Sequence, residues 1–392
     1  MRPIGLGLLL GATTLLAGET NVMKRGTLEN ARIQFQVRKK GHVAFIGGSI
    51  TEMDGYRPMV CEMLRERFPD CQFAFTAAGI ASTCSTTGAF RLQDDVLSKG
   101  PLDLFFVEFA VNDDQDAHHT REECIRGMEG LVRHVRRHNP RAEIVITYFV
   151  NEHMMAQYRK KEVPLPIAAH EEVAEFYRIP AIHLAREVTA RIDAGEFDWK
   201  KFGGVHPAPF GNRIAADLIG QLFDACWGGE LPASAAMKDY TLPPQPLDAA
   251  NYEFGRFLPL SEAKTSPQWK IHIPEWGKLP GSKRDRFAKI EMLEATEPGA
   301  SFTCEFTGTA IGAYIVAGPD AGRVEVRLDG GAPKTVDLYH GFSAGLHYPR
   351  TVMFGDALTP GRHTLELRLL AEKNPASKGT AMRAMQLVVN GE

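Results

Sequence analysis

A serine at position 49 follows the apolar run His42-Val43-Ala44-Phe45-Ile46, which ends in Gly47-Gly48. Such a run reads as a buried strand. A serine just past its carboxyl end stands where an α/β sheet collects its ligands. Glycines beside it let the chain turn sharply and bring backbone N–H groups close to a substrate. Alone, a Gly-Gly-Ser turn is often only a turn, and the Lys of a phosphate loop is missing. Two more strand ends add to it. Phe73-Ala74-Phe75-Thr76 leads into Ala77-Ala78-Gly79, and Leu104 to Phe109 leads into Ala110-Val111-Asn112-Asp113. A serine, a glycine N–H and an asparagine amide at successive strand ends are the parts of a nucleophile with an oxyanion hole. Farther on, Gly203-Gly204-Val205-His206-Pro207 sets a histidine, a candidate general base, on a loop.

The elements that must position these residues alternate in type between His42 and Trp227. After the first strand, Pro58 to Phe68 reads as a helix opened by proline. A long helix from about Thr120 to His138 has Ile125, Met128, Leu131, Val132 and Val135 on one face, with a capping box from Thr120 to Glu123. Its basic run of Arg133, Arg136, Arg137 and His138 reads as a solvated helix end that suits the helix dipole. Glu143 to Tyr148 is a fourth strand and Ala181-Ile182-His183 a short fifth; helices run over about Ala169–Tyr177 and Gly211–Cys226. Strands alternating with helices imply a mostly parallel sheet covered on both faces, a flavodoxin-like three-layer α/β/α domain. Beyond Trp227 the texture changes. Pro232, Pro243, Pro244 and Pro246 mark a linker or wrapping segment. Alternating runs such as Ser301–Phe306, Arg323–Leu328 (ending in the hairpin signal Asp329-Gly330-Gly331) and His363–Leu369 then predict a β-sandwich of jelly-roll type. The expected division is residues 1–18 as a signal peptide, 19–227 as the α/β domain, 228–250 as a linker and 251–392 as the sandwich.

Ser49, Gly79, Asn112 and His206 occur in the order and approximate spacing of the four blocks of the SGNH/GDSL hydrolase family, which this half of the chain resembles. The blocks are Gly48-Ser49-Ile50-Thr51, Ala78-Gly79, Val111-Asn112-Asp113 and Val205-His206-Pro207. The resemblance covers residues from about 42 to 227. It implies esterase chemistry without metal or organic cofactor. Ser49 attacks an ester carbonyl, His206 carries the proton, and the oxyanion is held by the Ser49 and Gly79 N–H groups and the Asn112 amide. One position departs from the family pattern: three residues before the histidine, where the family commonly has Asp, stands Gly203. Asp198 is one candidate to orient His206, with Glu196 behind it; the other is a backbone carbonyl, which leaves a Ser–His dyad, the preferred reading.

Other residues invite blander readings. His118 and His119 beside Asp114 and Asp116 suggest a metal site, but no further ligand follows at helical spacing, and a solvated loop is expected. Asp113 reads as a loop organiser and Asp54–Arg57 as a local ion pair, while Cys84, Ser85 and Arg91 are expected to line the pocket. Trp269, Trp276, Tyr314 and Tyr339 are read as sandwich core rather than a sugar platform. Cys61, Cys71, Cys84, Cys124, Cys226 and Cys304 have no paired spacing, so buried free thiols are expected.

Composition bounds the rest. With 44% hydrophobic and 24% charged residues the chain is neither disordered nor a multi-span membrane protein. A net charge of -3 offers no basic excess for nucleic acid. Arg2 followed by the apolar stretch Ile4–Gly18 suits a secretory signal, with Glu19 where a lipidated Cys would stand. A secreted or periplasmic protein without a membrane anchor is expected, acting on acylated polysaccharide or oligosaccharide. A decayed glycan-binding protein and an acyl transferase using the same site are the alternatives.

Overall fold

The computed structural model describes residues 20–391; the expected signal over residues 1–18 lies outside them. The first domain has strands β1 (Val22–Met23), β2 (Lys40–Gly47), β3 (Gln72–Gly79), β4 (Leu104–Glu108), β5 (Glu143–Thr147) and β6 (Ala181–Ile182). Its helices are α1 (Glu29–Gln36), α2 (Ser49–Glu52), α3 (Tyr56–Arg67), α4 (Ser85–Asp95), α5 (Ala110–Gln115) and α6 (Arg121–His138), followed by α7 (Glu152–Arg159), α8 (Leu165–Phe176), α9 (Leu184–Asp193), α10 (Trp199–Phe202) and α11 (Pro209–Trp227). The strand order is β1-β6-β5-β4-β2-β3, parallel from β6 to β3 with β1 antiparallel at the edge. Every residue of β4 and β5 is buried, as continuous apolar strands covered on both faces require. Helices α4, α6 and α8 pack as one layer, α1, α3 and α11 as another.

Topology fixes the site before any side chain is considered. The chain leaves β2 for β3 on one side and returns to β4 on the other, so the strand order reverses between β2 and β4. Ligands of open α/β sheets bind outside the carboxyl ends at such a switch point. Ser49 follows β2 and Asn112 follows β4.

The second domain is two antiparallel sheets. Its strands are β7 (Gly255–Leu258), β8 (Lys264–Thr265), β9 (Lys270–His272), β10 (Met292–Ala295), β11 (Ser301–Gly308), β12 (Ala310–Ala317), β13 (Arg323–Leu328), β14 (Lys334–Asp337), β15 (Tyr348–Gly355), β16 (Gly361–Leu369) and β17 (Met382–Asn390). One sheet runs β15-β12-β17-β10-β9, with β7 also on β17; the other runs β14-β13-β16-β11-β8. Between them lies a core of Phe302, Cys304, Val324, Val326, Leu365, Leu367 and their neighbours. Strand β11 alternates buried and exposed, as a half-solvated strand does. Strand β12 is buried throughout. Its Ile311, Ala313, Ile315 and Ala317 face the sandwich core, whereas Ala310, Tyr314 and Val316 join the core of the first domain. The sandwich therefore docks through the back of this sheet, and the two halves share apolar packing.

The proline-rich segment after Trp227 is strapped to α6. Glu129 accepts the backbone N–H groups of Leu247 and Asp248 at 2.7 and 2.8 Å, and Arg126 pairs with Asp248 at 2.8 Å. Arg133 and Arg137 both bind Glu253, and the Arg136 guanidinium lies 4.4 Å from the Tyr240 ring centre. The expected solvated basic end is thus corrected in part: Arg133 and Arg136 are buried, because the segment covers them, while Arg137 and His138 are exposed as expected. Sequence reading also passes over α4, whose Thr86, Thr87 and Arg91 are polar yet buried. All six cysteines are free thiols.

Candidate active site

Ser49 opens α2 directly after Gly48, so its N–H has no intrahelical partner to bond. Its Oγ lies 2.8 Å from His206 Nε2, across 157 residues of sequence. Three strand ends converge around it with no room for side chains at their glycines. A Cβ on Gly48 would stand 1.9 Å from Asn112 Oδ1, and one on Gly79 would stand 2.2 Å from the Glu52 backbone nitrogen. Glycine is required at both positions for the ends of β2, β3 and β4 to meet. The Gly79 end, the Ser49 turn and the Asn112 side chain are thereby gathered at the switch point.

Behind this surface lies a layer of buried charge. Arg91, fully buried, donates to the carbonyls of Ala78 at 2.6 Å and Gly47 at 3.1 Å and to Asp95 at 2.8 Å. It ties together the two strand ends that carry Ser49 and Gly79. It does not line the pocket as expected, and neither does Ser85, whose N–H and hydroxyl both donate to Asp113 at 2.8 and 2.7 Å. Asp113 also binds His170 at 2.9 Å. Burial pushes its carboxyl up, but His119 and His170 pull it down further, and it ends well below the ordinary carboxylate range. His119 is thus not part of a solvated loop. Its imidazole is nearly buried, 3.5 Å from Asp113; burial lowers its pKa, but Cys84 and Asp113 outweigh that and hold it well above the ordinary value.

Glu108 ends β4 and is buried beneath the turn that carries Ser49. Thr51 Oγ1 donates to its Oε2 at 3.3 Å and lies 3.1 Å from Tyr56 Oη. Burial is the largest effect on its carboxyl and pushes the pKa to about 8, against the opposing bonds from Thr51 and the Gly48 N–H. Sequence reading passed it over, although a glutamate inside the run Leu104–Phe109 was a visible anomaly.

His206 sits on a loop whose shape two features set. Gly203 and Gly204 have φ of 111° and 77°, and Asn212 Nδ2 donates to the carbonyls of Pro207 and Ala208 at 2.5 and 3.1 Å. The place of the family's aspartate is closed to any side chain. A Cβ on Gly203 would stand 1.9 Å from the Ala208 nitrogen, at a backbone angle that L residues rarely adopt. Asp198 is turned to another task. It N-caps α10, accepting the Lys201 N–H at 2.7 Å, while Glu196 pairs with Arg191 at 2.8 Å. Neither carboxylate hydrogen-bonds His206, and among the described residues His206 Nδ1 has no hydrogen-bond partner. The geometry is that of a serine–histidine pair.

Of the remaining expectations, Asp54 and Arg57 pair at 2.8 Å. Trp269 and Tyr314 are buried in core, while Trp276 and Tyr339 are only partly covered.

Residues 45–214 match the GDSL-like Lipase/Acylhydrolase family. Among solved structures the chain is similar to a two-domain esterase (CEX) active on acetylated mannans. The TM-score is 0.74 at 22% identity, over 95% of this chain and 98% of that one. The same esterase co-crystallized with mannopentaose gives 0.72 at 22% identity, over 95% and 97%. At this identity the likeness shows a shared two-domain fold. No curated protein matches the chain. Among the described residues no helix is long and apolar enough to cross a membrane.

Proposed function

We propose that this chain, whose residues 45–214 form a GDSL-like lipase/acylhydrolase domain, is an exported serine esterase that removes acetyl or another short acyl group from a carbohydrate. One observation carries the reading: Ser49 Oγ lies 2.8 Å from His206 Nε2 at the switch point where the Gly79 and Asn112 ends converge. Ser49 Oγ adds to the ester carbonyl as its proton passes to His206 Nε2. The negative charge that develops on the carbonyl oxygen falls to the Ser49 and Gly79 N–H groups and the Asn112 amide. Collapse breaks the ester C–O bond, and His206 returns the proton to the departing sugar hydroxyl. Water then repeats the sequence on the acyl-serine, releasing the acid.

The substrate class rests on likeness along the whole chain to an esterase active on acetylated mannans. It also rests on the polar surroundings of the nucleophile. Glu52 and Arg286 pair at 2.6 Å next to the Gly79 carbonyl, a poor lining for a long acyl chain. Export rests on the apolar stretch Ile4–Gly18. The test is acetate release from acetylated mannan and from 4-nitrophenyl acetate by wild type and Ser49→Ala. Wild type is expected to turn over both and the variant neither. Equal turnover by the variant refutes the assignment of Ser49.

A further inference from the structure

We infer that the sandwich domain holds the oxyanion hole in its working geometry, and that Tyr348 is a positioning residue acting on Asn112 through Asp116. The inference rests on the esterase reading above. Asn112 and Asp116 stand one turn apart at α5, and Asn112 Nδ2 donates to Asp116 Oδ2 at 2.7 Å. An amide offers two N–H donors on one side and a carbonyl oxygen on the other, and the two ends have nearly the same shape. A carboxylate beside it accepts only, so it admits the nitrogen end and repels the oxygen end. Asp116 thereby sets which way the Asn112 amide faces, leaving the second N–H for the oxyanion and Oδ1 against Gly48. Were the amide to flip, its carbonyl oxygen would face the developing negative charge.

Asp116 is in turn gripped from the second domain. Tyr348, at the start of β15, directs its hydroxyl at Asp116 Oδ1 and at the Ser82 carbonyl, each 3.1 Å away. The Tyr348 ring is stacked on His340, with centres 4.3 Å apart and planes 7° from parallel. His340 Nδ1 accepts the Phe342 N–H at 3.2 Å, so Nε2 carries the ring proton and donates to the Asp116 carbonyl at 2.7 Å. One residue of the first domain is thus held at its side chain and its backbone by two stacked rings of the second. The Gly79 loop is gripped similarly. Arg286 Nη1 donates to the Gly79 carbonyl at 3.1 Å, and Arg284 donates to the Ala81 carbonyl and Ser82 Oγ at 2.8 and 2.7 Å. Those parts of the oxyanion hole that Ser49 does not supply are therefore both fastened to the sandwich.

The test is a double-mutant cycle on the full chain with 4-nitrophenyl acetate. Tyr348→Phe keeps the stacked ring and removes only the hydroxyl. It is expected to lower kcat by about 5- to 30-fold, part of the roughly 10- to 150-fold worth of one hydrogen bond to a charged group, with KM within about twofold. In an Asn112→Ala background, where there is no amide left to orient, adding Tyr348→Phe is expected to change kcat by less than about twofold. Asp116→Asn, which can accept as well as donate, should lower kcat in the same manner as Tyr348→Phe. Thermal unfolding of each variant reports whether the fold is kept. A kcat for Tyr348→Phe within twofold of wild type overturns the inference. So does a loss that persists in full in the Asn112→Ala background, because that is what a purely structural role produces. Failure of the esterase reading looks different: wild type and Ser49→Ala would be equally inert, and the positioning role would fall with it.

Discussion

Glu108 makes stability depend on pH in a direction opposite to most carboxylates. Its pKa is 4.5 ordinarily and about 8 in the fold, chiefly because burial disfavours the charged form. Between those values the unfolded chain has lost the proton and the folded chain keeps it. The unfolded state then binds fewer protons, so the slope of unfolding free energy with pH is negative. Stability is fully present below pH 4.5 and is lost as pH rises towards 8. At about 1.4 kcal/mol per pH unit the loss is about 2 kcal/mol by pH 6 and about 4 kcal/mol by pH 8, an upper bound if the site relaxes. Glu108→Gln keeps the volume and an acceptor for Thr51 and the Gly48 N–H but cannot ionise. Urea unfolding of both proteins at pH 5, 6, 7 and 8 measures the effect. The variant should gain on wild type steadily as pH rises, by a total of about 3 kcal/mol or less over that span. Curves that stay parallel from pH 5 to 8 would show that Glu108 is ionised in the fold, and the reasoning from burial would fail.

The histidine loop supplies two further predictions. Asp198→Ala removes a helix cap and should cost about 0.5–2 kcal/mol of stability in thermal unfolding, with kcat on an acetate ester within about twofold of wild type; a 100-fold loss of kcat would place Asp198 in the proton path. Gly203→Asp introduces the residue type common at this position in the SGNH/GDSL family that the chain resembles, yet it should lower both stability and kcat, since φ there is 111° and the Ala208 nitrogen occupies the space. A higher kcat in that variant would mean that the loop accepts a third catalytic member after all.

Much of the first domain was legible because its signals are local. The runs His42–Ile46, Leu104–Phe109 and Glu143–Tyr148 have strand length and apolar character, and each lies on a strand of the central sheet. The capping box at Thr120 and Glu123 forms as the spacing suggests. The proximity of Ser49 to His206 could be inferred only through four ordered motifs, since nothing local links residues 157 apart. What stayed hidden depends on tertiary cover. Arg91, Arg133 and Arg136 look like surface residues by type, and only the chain folded over them makes them buried. Helix α4 carries threonines and an arginine where an amphipathic pattern needs apolar residues, so its period is invisible. The roles of Asp116 and Tyr348 could not be read at all, because their meeting joins two domains across 232 residues.

The fully buried β12 has a consequence for how such a protein can arise and change. A strand with one apolar face for each of two cores belongs to neither half alone. Cutting the chain after the proline-rich segment would leave the hydrolase half with a greasy scar where Tyr314, Val316, Met385 and Val388 had lain. The sandwich is therefore no cartridge to be swapped between enzymes. A lineage that exchanged it would have to resurface its catalytic half at the same time, so the two are expected to travel through evolution as a single inheritance.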